Sequence, residues 1–499
     1  MLLRRVLFNV LITSYYFFYL LSGNKRYFQS TPLKLAIIFL VHLVASLCRW
    51  ITEQILYNMQ KDASLADDLG RKEPIVPRSI NYLPLMLLVT PLTSIWWSAI
   101  TDHNGSLQLS VTRFLVDPRA SLTWCFLPSH DIGVAFAKWI FFEAILYTVL
   151  PGRVCAGQPT PSGHTLPYTM NGLSFFICSV ISFLLPAALG WTELFFIAKN
   201  WRDVILAANV FAWLLTCLAF VKGRIAPSYK YDNRGNDSYI SDLWRGIELH
   251  PRFGAAWDLK IFHNGRWTMT ALAIIDISFA ALQWEIHGYI TYTMICVMLL
   301  RNLLIVNFFG NEEWYLCSTE VCDEPFGFYF AWGSGVFFPT IYTLQTQYLA
   351  MNPIELPLTH TILILSLGIA GFMVYYIATE QKKAVNDTKG VHDVGDEMAQ
   401  FIRASYTTTD GVERESLLLC SGLWKYIRHP NYLGLLILTY AMCGLCGTRA
   451  LLPWTEALFA TILLAYRCLR EERNCVKKYG KDWEVYCSRV RWRLVPGLY

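Results

Sequence analysis

Apolar runs long enough to cross a lipid bilayer recur along the whole chain, and they constrain its fold more than any other feature. A membrane helix needs about 20 mostly apolar residues at about 1.5 Å rise each. Such runs lie near 6–22, 33–50, 81–100, 132–150, 172–190, 203–222, 267–285, 288–309, 357–378, 433–449 and 451–469. A further stretch, "FGFYFAWGSGVFFPTIYTLQTQYLA" at 326–350, is apolar and glycine-rich but contains Pro339, so it is expected to be broken or re-entrant. Within lipid every backbone polar group must be satisfied inside the segment or the bundle. The expectation is an all-α, polytopic membrane protein with about ten transmembrane helices. At the N-terminus, Arg4 and Arg5 precede the run Val6–Leu21 with no small-residue cleavage site after it, which reads as a retained first helix.

The composition agrees. Only 16% of residues are charged, against about 25% in a soluble domain. The net charge of +5 is too small and too scattered for a nucleic-acid partner. The pair Cys443 and Cys446 lies inside an apolar run with no second pair, so it reads as helix packing rather than a metal or redox site. His392, Asp393, Asp396 and Glu397 stand on a polar loop and read as solvated; no metal is expected.

Three polar segments interrupt the spans. Residues 51–79 and 101–130 read as connecting loops. The third, 379–431, carries Lys382, Lys383, Lys389, Arg403 and Arg414, and the tail 470–499 is also basic. Two short spans joined at "GTRA" separate these basic segments and form a hairpin, so both face one compartment, the cytosol by the positive-inside rule. "WKYIRHPNYLG" (424–434) and "RCLREERNCVKKYGKDWEVYCSRVRWRLVPGLY" (467–499) thus meet at one end of a helical hairpin, mixing cations with flat rings. A nucleotide cofactor uses both: cations for phosphates and aromatic faces for the base. A helix end snorkelling its charges into headgroups accounts for the hairpin equally well.

The hairpin motifs resemble the sterol reductase family, which includes the Δ14-sterol reductases, the reductase part of lamin B receptor and the 7-dehydrocholesterol reductases. The C-terminal pattern also resembles isoprenylcysteine and phospholipid methyltransferases, which use S-adenosylmethionine. Upstream, "LPGRVCAGQPTPSGHTLPYTMNGL" (150–173), "WRGIELHPRFGAAWDLKIFHNGR" (244–266), "NFFGNEEWYL" (307–316) and "FGFYFAWGSGVFFPTIYTLQ" (326–345) look like the 7-dehydrocholesterol reductase branch and have no counterpart in the methyltransferases. The resemblance covers residues 150–499, giving N-terminal helices over 1–149 and a reductase domain over 150–499 with its cofactor pocket in the hairpin region 379–499. It implies NADPH-dependent reduction of a sterol ring double bond, with Δ7 the bond in question. It also implies a multi-pass protein of the endoplasmic reticulum membrane, a sterol as partner and association with other sterol-pathway enzymes.

Family cofactor contacts carry over onto Lys382, Leu419, Trp424, Asn431, Tyr432, Glu471, Cys475, Val476, Lys477, Lys478, Tyr479 and Tyr486. Three positions depart from the family pattern: Glu471 stands for Asp, Asn386 for Arg, and Leu435 for the Asp that usually follows "NYxG". Asn386 removes a guanidinium from the phosphate set, and Lys383 or Lys389 is available as a point-charge substitute. An isolated ring double bond is electron-rich, so a proton must add before or with the hydride, and an acid inside an apolar cavity is required. Tyr315 and Glu312 are expected on the proton path, with Trp332, Tyr342 and Gln345 lining the sterol slot. Mid-span Asp276 reads either as an acid or as the partner of Arg301 or Arg266. A non-catalytic sterol-binding scaffold is the remaining alternative, motivated by Asn386 and Leu435.

Overall fold

The computed structural model describes residues 83–117, 127–235, 238–255, 257–394, 397–407 and 413–497. The runs expected at 6–22 and 33–50, and the loop 51–79, lie outside the described residues. Helix α1 spans Leu83–Thr101. The following segment was expected to be a loop but contains α2, Leu107–Val116, started by Ser106, whose hydroxyl accepts the Leu109 amide. Ser110 on α2 donates to the Ile95 carbonyl of α1 at 2.7 Å and ties the two together.

The bundle proper comprises α3 (His130–Val149), α4 (Gly172–Ala188), α5 (Trp201–Ile225), α6 (Leu259–His287), α7 (Tyr292–Gly310), α8 (Leu358–Asp387), α9 (Pro430–Leu445) and α10 (Thr455–Tyr479), with α11 (Lys481–Arg489) after it. Among the described residues, five of these helices, α3 and α5 to α8, are long and apolar enough to cross a membrane, and α4 and α9 are shorter apolar helices. This defines a multi-pass membrane protein. Helix α8 runs past its expected end at 378 to Asp387, because "ATEQKKAVND" consists largely of good helix formers and continues the register. The projecting end carries Lys382 and Lys383.

The expectation of an all-α chain needs correction: short antiparallel hairpins join the helices at one end of the bundle. Strand β1 (Arg153–Ala156) pairs with β2 (Pro167–Met170), and β3 (Phe401–Thr407) pairs with β4 (Glu413–Leu419). Two further two-residue ladders join Arg252–Phe253 to Trp257–Asp258 and Asp393–Val394 to Glu397–Met398. In the β3–β4 ribbon, alternation gives each face a different neighbour. Phe401, Leu417 and Leu419 pack with Val385 and Trp424, whereas Ile402 and Leu418 pack with Trp483, Tyr486 and Cys475. The ribbon is therefore a wedge between α8 and the α10–α11 pair.

The stretch 326–350 is broken, as expected. It runs through Phe328–Trp332, a wide π turn at Gly333–Phe337, and Phe338–Tyr342 before restarting as Leu344–Met351. A second π turn, His263–Thr268, lies inside α6. The two turns meet: His263 Nε2 donates to the Ala331 carbonyl at 2.9 Å, and a Cβ on Gly335 would lie 2.7 Å from the His263 ring.

Asp276, Arg301 and Glu456 form a fully buried cluster in the bundle interior. Arg301 donates to both Asp276 oxygens at 2.6 and 2.7 Å and to Gln345 Oε1 at 2.6 Å. Of the two arginines considered for Asp276, Arg301 is the partner.

Helices α8 and α9 touch backbone to backbone. A Cβ on Gly371 would come 2.7 Å from the Leu438 nitrogen, and one on Gly434 would collide with the Tyr375 nitrogen. In a membrane, where helices gain little from hydrophobicity against each other, such small-residue seams carry the packing. Gly371→Leu and Gly434→Leu should each lower the thermal midpoint of the detergent-solubilised protein, by an overpacking cost of about 1–3 kcal/mol. A thermal melt with unchanged midpoints would show that the seam tolerates separation.

Candidate functional site

Much of the charge in the chain gathers at the end of the bundle where α7, α8 and α10 finish and α4 and α9 begin. Lys382 at the end of α8 stands over the Trp424 ring, 5.0 Å from its centroid. Trp424 is buried beside Leu419, and its indole donates to the Ala378 carbonyl at 2.9 Å. Gln381 accepts the Leu423 amide at 3.1 Å and anchors the turn before α9.

At the start of α9, His429 stacks on Tyr432 with centroids 5.1 Å apart and planes 8° from parallel. The Tyr432 hydroxyl donates to Glu471 on α10. Burial lowers the His429 imidazole below its usual range, Glu471 opposes this, and Lys382 adds to it. Burial also pushes the Cys475 thiol up to about 11, with Glu471 adding and Lys382 and Lys478 opposing. Lys382, His429, Glu471, Cys475 and Lys478 are therefore near enough to influence one another's charge. On its far side Lys478 lies 3.8 Å from the Tyr406 ring centroid, and the Tyr479 hydroxyl donates to Ser416 at 3.1 Å, so the ribbon forms a wall. Tyr486 is buried against Trp483, while Val476 and Lys477 are exposed on the outer face of α10.

Of the carried-over cofactor positions, Lys382 stands at the end of α8, Asn431 and Tyr432 in the first turn of α9, and Glu471, Cys475, Lys478 and Tyr479 on the last turns of α10. Leu419 and Trp424 lie on the α8 face of the ribbon, Tyr486 on its α10–α11 face, and Val476 and Lys477 are exposed. The donor set suits a dinucleotide phosphate: cations at the edge, stacked rings within, and two buried polar atoms, His429 Nε2 and Asn431 Oδ1, that have no hydrogen-bond partner among the described residues. Asn386 is exposed one helical turn beyond Lys382 and on the same face. Leu435 packs among Leu436, Leu464 and Leu494 in the α9–α10 seam.

The segment after α7 forms the facing wall. Glu312 is 8% exposed; the Arg266 guanidinium lies 2.6 Å from its Oε2, and the Gly172 amide donates to Oε1 at 3.0 Å. Burial raises the Glu312 carboxyl above its usual range against the pull of Arg266. Glu313, adjacent and less buried, pairs with Arg153. The Tyr315 ring packs on Gly265 and Phe308, its hydroxyl accepts from Asn264, and burial raises the phenol. This wall reaches the cofactor-side residues at Trp314, whose ring carries Lys383 Nζ 5.8 Å from its centroid. A cavity of about 340 Å³ opens at the same junction, lined by Arg153, Asn171, Leu173, Gly310, Glu312 and Lys383 among others.

Trp332, Tyr342 and Gln345 lie elsewhere. Trp332 donates its indole N–H to Asn209 at 2.8 Å, Tyr342 packs on Phe338, and Gln345 is fully buried between Arg301 and the Pro453 carbonyl. The residues that sequence reasoning missed are those fastening the wall. Lys260 donates to the carbonyls of Glu320, Val321 and Glu324 at 2.9, 3.1 and 2.5 Å. Arg467 and Arg470, one turn apart on α10, pair with Glu320 and Glu324. The i, i+3 and i, i+4 spacings were visible in the sequence, but nothing there joined segments about 145 residues apart.

The fold is a bundle of membrane-length helices with a buried acid and a group of cations and aromatic rings at one end. The profile of the ergosterol biosynthesis ERG4/ERG24 family matches residues 85–499. The chain belongs to this family of sterol reductases, oxidoreductases of sterol biosynthesis. It is 35% identical to a 7-dehydrocholesterol reductase of Danio rerio over 80% of this chain and 84% of that protein. It is 33% identical to a 7-dehydrocholesterol reductase of Arabidopsis thaliana, covering 85% and 98%. A Delta(14)-sterol reductase of Methylotuvimicrobium alcaliphilum is 30% identical, covering 84% and 95%. The family match begins well before the first motif at residue 150, and it removes the methyltransferase alternative because hairpin and upstream segment match as one unit.

Burial works to raise the Glu320 carboxyl, but Arg467, a backbone amide and the Ser318 hydroxyl together hold the group below the usual carboxylate range. A depressed native value means stability that is present above the unfolded carboxylate pKa and lost as pH falls through the native one. Glu320→Gln should therefore flatten the acid limb of the stability–pH curve, measured by thermal melts from about pH 7 to 3. An acid limb identical to that of the unsubstituted protein would mean that the Arg467 pair contributes nothing.

Proposed function

We propose that this chain is an NADPH-dependent sterol Δ7-reductase of the endoplasmic reticulum membrane, with the α8–α10 cleft facing the cytosol. The observation that carries the reading is the junction at Lys383 and Trp314, where the acid-bearing wall meets the convergent basic and aromatic cleft. Relatives named 7-dehydrocholesterol reductase support Δ7 as the bond, in company with Δ14-reducing relatives. Lys382 and Lys478 would hold phosphates, Trp424, Tyr432 and Tyr479 would pack against the flat rings, and Asn431 and Glu471 would orient polar edges. NADPH held by these residues would supply the hydride equivalent of the reduction.

Glu312 supplies the proton. Burial keeps the proton on the carboxyl until it is needed, and Arg266 stabilises the carboxylate that forms on donation. Tyr315, kept neutral by burial, shapes the same path; Asn264 donates to its oxygen, so the hydroxyl hydrogen is left to be donated onward. Trp332, Tyr342 and Gln345 are packed or paired inside the bundle away from this cavity and take no part in the path.

Tyr432→Ala combined with Lys477→Ala should weaken NADPH binding by at least about tenfold, a loss on the scale of one charge-assisted contact, while the protein stays folded. Equilibrium binding to purified protein reads this, and an unchanged affinity would sink the cofactor assignment.

In a sterol-producing yeast host, expression should deplete the ultraviolet-absorbing Δ5,7 diene from sterol extracts. Glu312→Gln should slow that conversion by roughly 10²–10⁴-fold, and Tyr315→Phe should slow it as well, with NADPH binding retained in both. Loss of a Δ14 bond instead would reassign the substrate, and no conversion would favour the scaffold alternative. Full activity in both variants would place the proton source elsewhere.

A further inference from the structure

The cavity beside Glu312 has a buried floor and an open rim. Asn171 and Phe309 at the floor are 3% and 2% exposed, whereas the Arg153 side chain at the rim is 73% exposed and Leu173 is 43% exposed. Its volume of about 340 Å³ admits a file of waters, each occupying about 30 Å³. Asn311 and Glu313 add polar side chains along the wall, and the Glu313–Arg153 pair stands near the mouth.

Reduction of one ring double bond forms two C–H bonds, one from a hydride and one from a proton. Glu312 is left as a carboxylate after each event and must regain one proton before the next. Its other polar contacts cannot return that proton, since the Arg266 guanidinium does not deprotonate in proteins and the Gly172 amide is not an acid. We infer that this cavity is a proton-entry channel, through which water delivers a proton from the bulk phase to Glu312 between turnovers. The inference rests on the role proposed for Glu312 above and adds the route by which that acid is recharged.

Gly310 ends α7 on the cavity wall, and a Cβ built there meets nothing within 4 Å, so a large side chain can enter the space without moving backbone. Gly310→Trp should leave NADPH affinity and the rate of the first turnover unchanged, because the first proton is already in place. Steady-state turnover should fall at least about tenfold, and its solvent deuterium isotope effect should rise, because recharging becomes limiting. An unaltered steady state overturns the channel, as does an equal slowing of the first turnover. Loss of NADPH affinity also overturns it, since the cavity would then belong to the cofactor. If Gly310→Trp fails to fold, Leu173→Trp fills the same space from the rim and is read in the same way. First-turnover measurement on Glu312→Gln separates the two claims. If it is fast, the acid assignment and the channel fall together; if it is abolished while the filled cavity is silent, only the channel falls.

Discussion

Lys260 is the contact on which the site end of this molecule depends. Its ammonium is completely buried and donates to three backbone carbonyls, those of Glu320, Val321 and Glu324. Those carbonyls belong to a short irregular segment that would otherwise leave them unsatisfied in the bundle. One cation thus fixes the polypeptide between α7 and the broken stretch at 326. Around it lie further buried pairs: Lys222 with Glu248, Arg252 with Asp258, and Arg266 with Glu312. Removing one partner of such a pair costs about 3–5 kcal/mol because the other charge stays buried. The network therefore specifies a single arrangement of the segment more than it adds net stability.

From that anchor the remaining geometry follows. The fixed segment carries Glu312, Trp314 and Tyr315 on one side and Glu320 and Glu324 on the other. Trp314 meets Lys383 of α8, and the two glutamates meet Arg467 and Arg470 of α10. The wall is thereby held against both helices that carry the cleft. The close seam of Gly371 and Gly434 sets the spacing between α8 and α9, and the β3–β4 ribbon sets the spacing between α8 and α10. Two adjoining π turns lie behind the wall, where a widened helix lets His263 reach across to Ala331.

The sequence states the helices well because a bilayer demands length and apolarity from consecutive residues. Most described helices begin and end within a few residues of the apolar runs. The misses occurred in polar segments. Helix α2 and the extension of α8 are helical through a cap and local propensity, signals that hydropathy does not carry. The β3–β4 ribbon depends on pairing of 401–407 with 413–419, and its alternation is interpretable only when both neighbouring layers are known.

For the candidate site, residue identity was legible and partnership was not. The motifs marked Lys382, Trp424, Tyr432 and Tyr479, and they marked Glu312 as an acid of the proton path. That Glu312 is the buried member and Glu313 the outer one depends on Arg266 and Arg153, brought there by a helix and a hairpin distant in sequence. Asp276 chose Arg301 over Arg266 for the same reason. Gln345, expected beside a substrate, is occupied by that ion cluster. The sequence by itself determined the membrane bundle, the sterol reductase family and the kinds of side chain gathered at one end of it. Only the tertiary structure decided which charge neutralises which, because a buried ion pair is a contact between helices and its cost or gain depends on distances that no local pattern records.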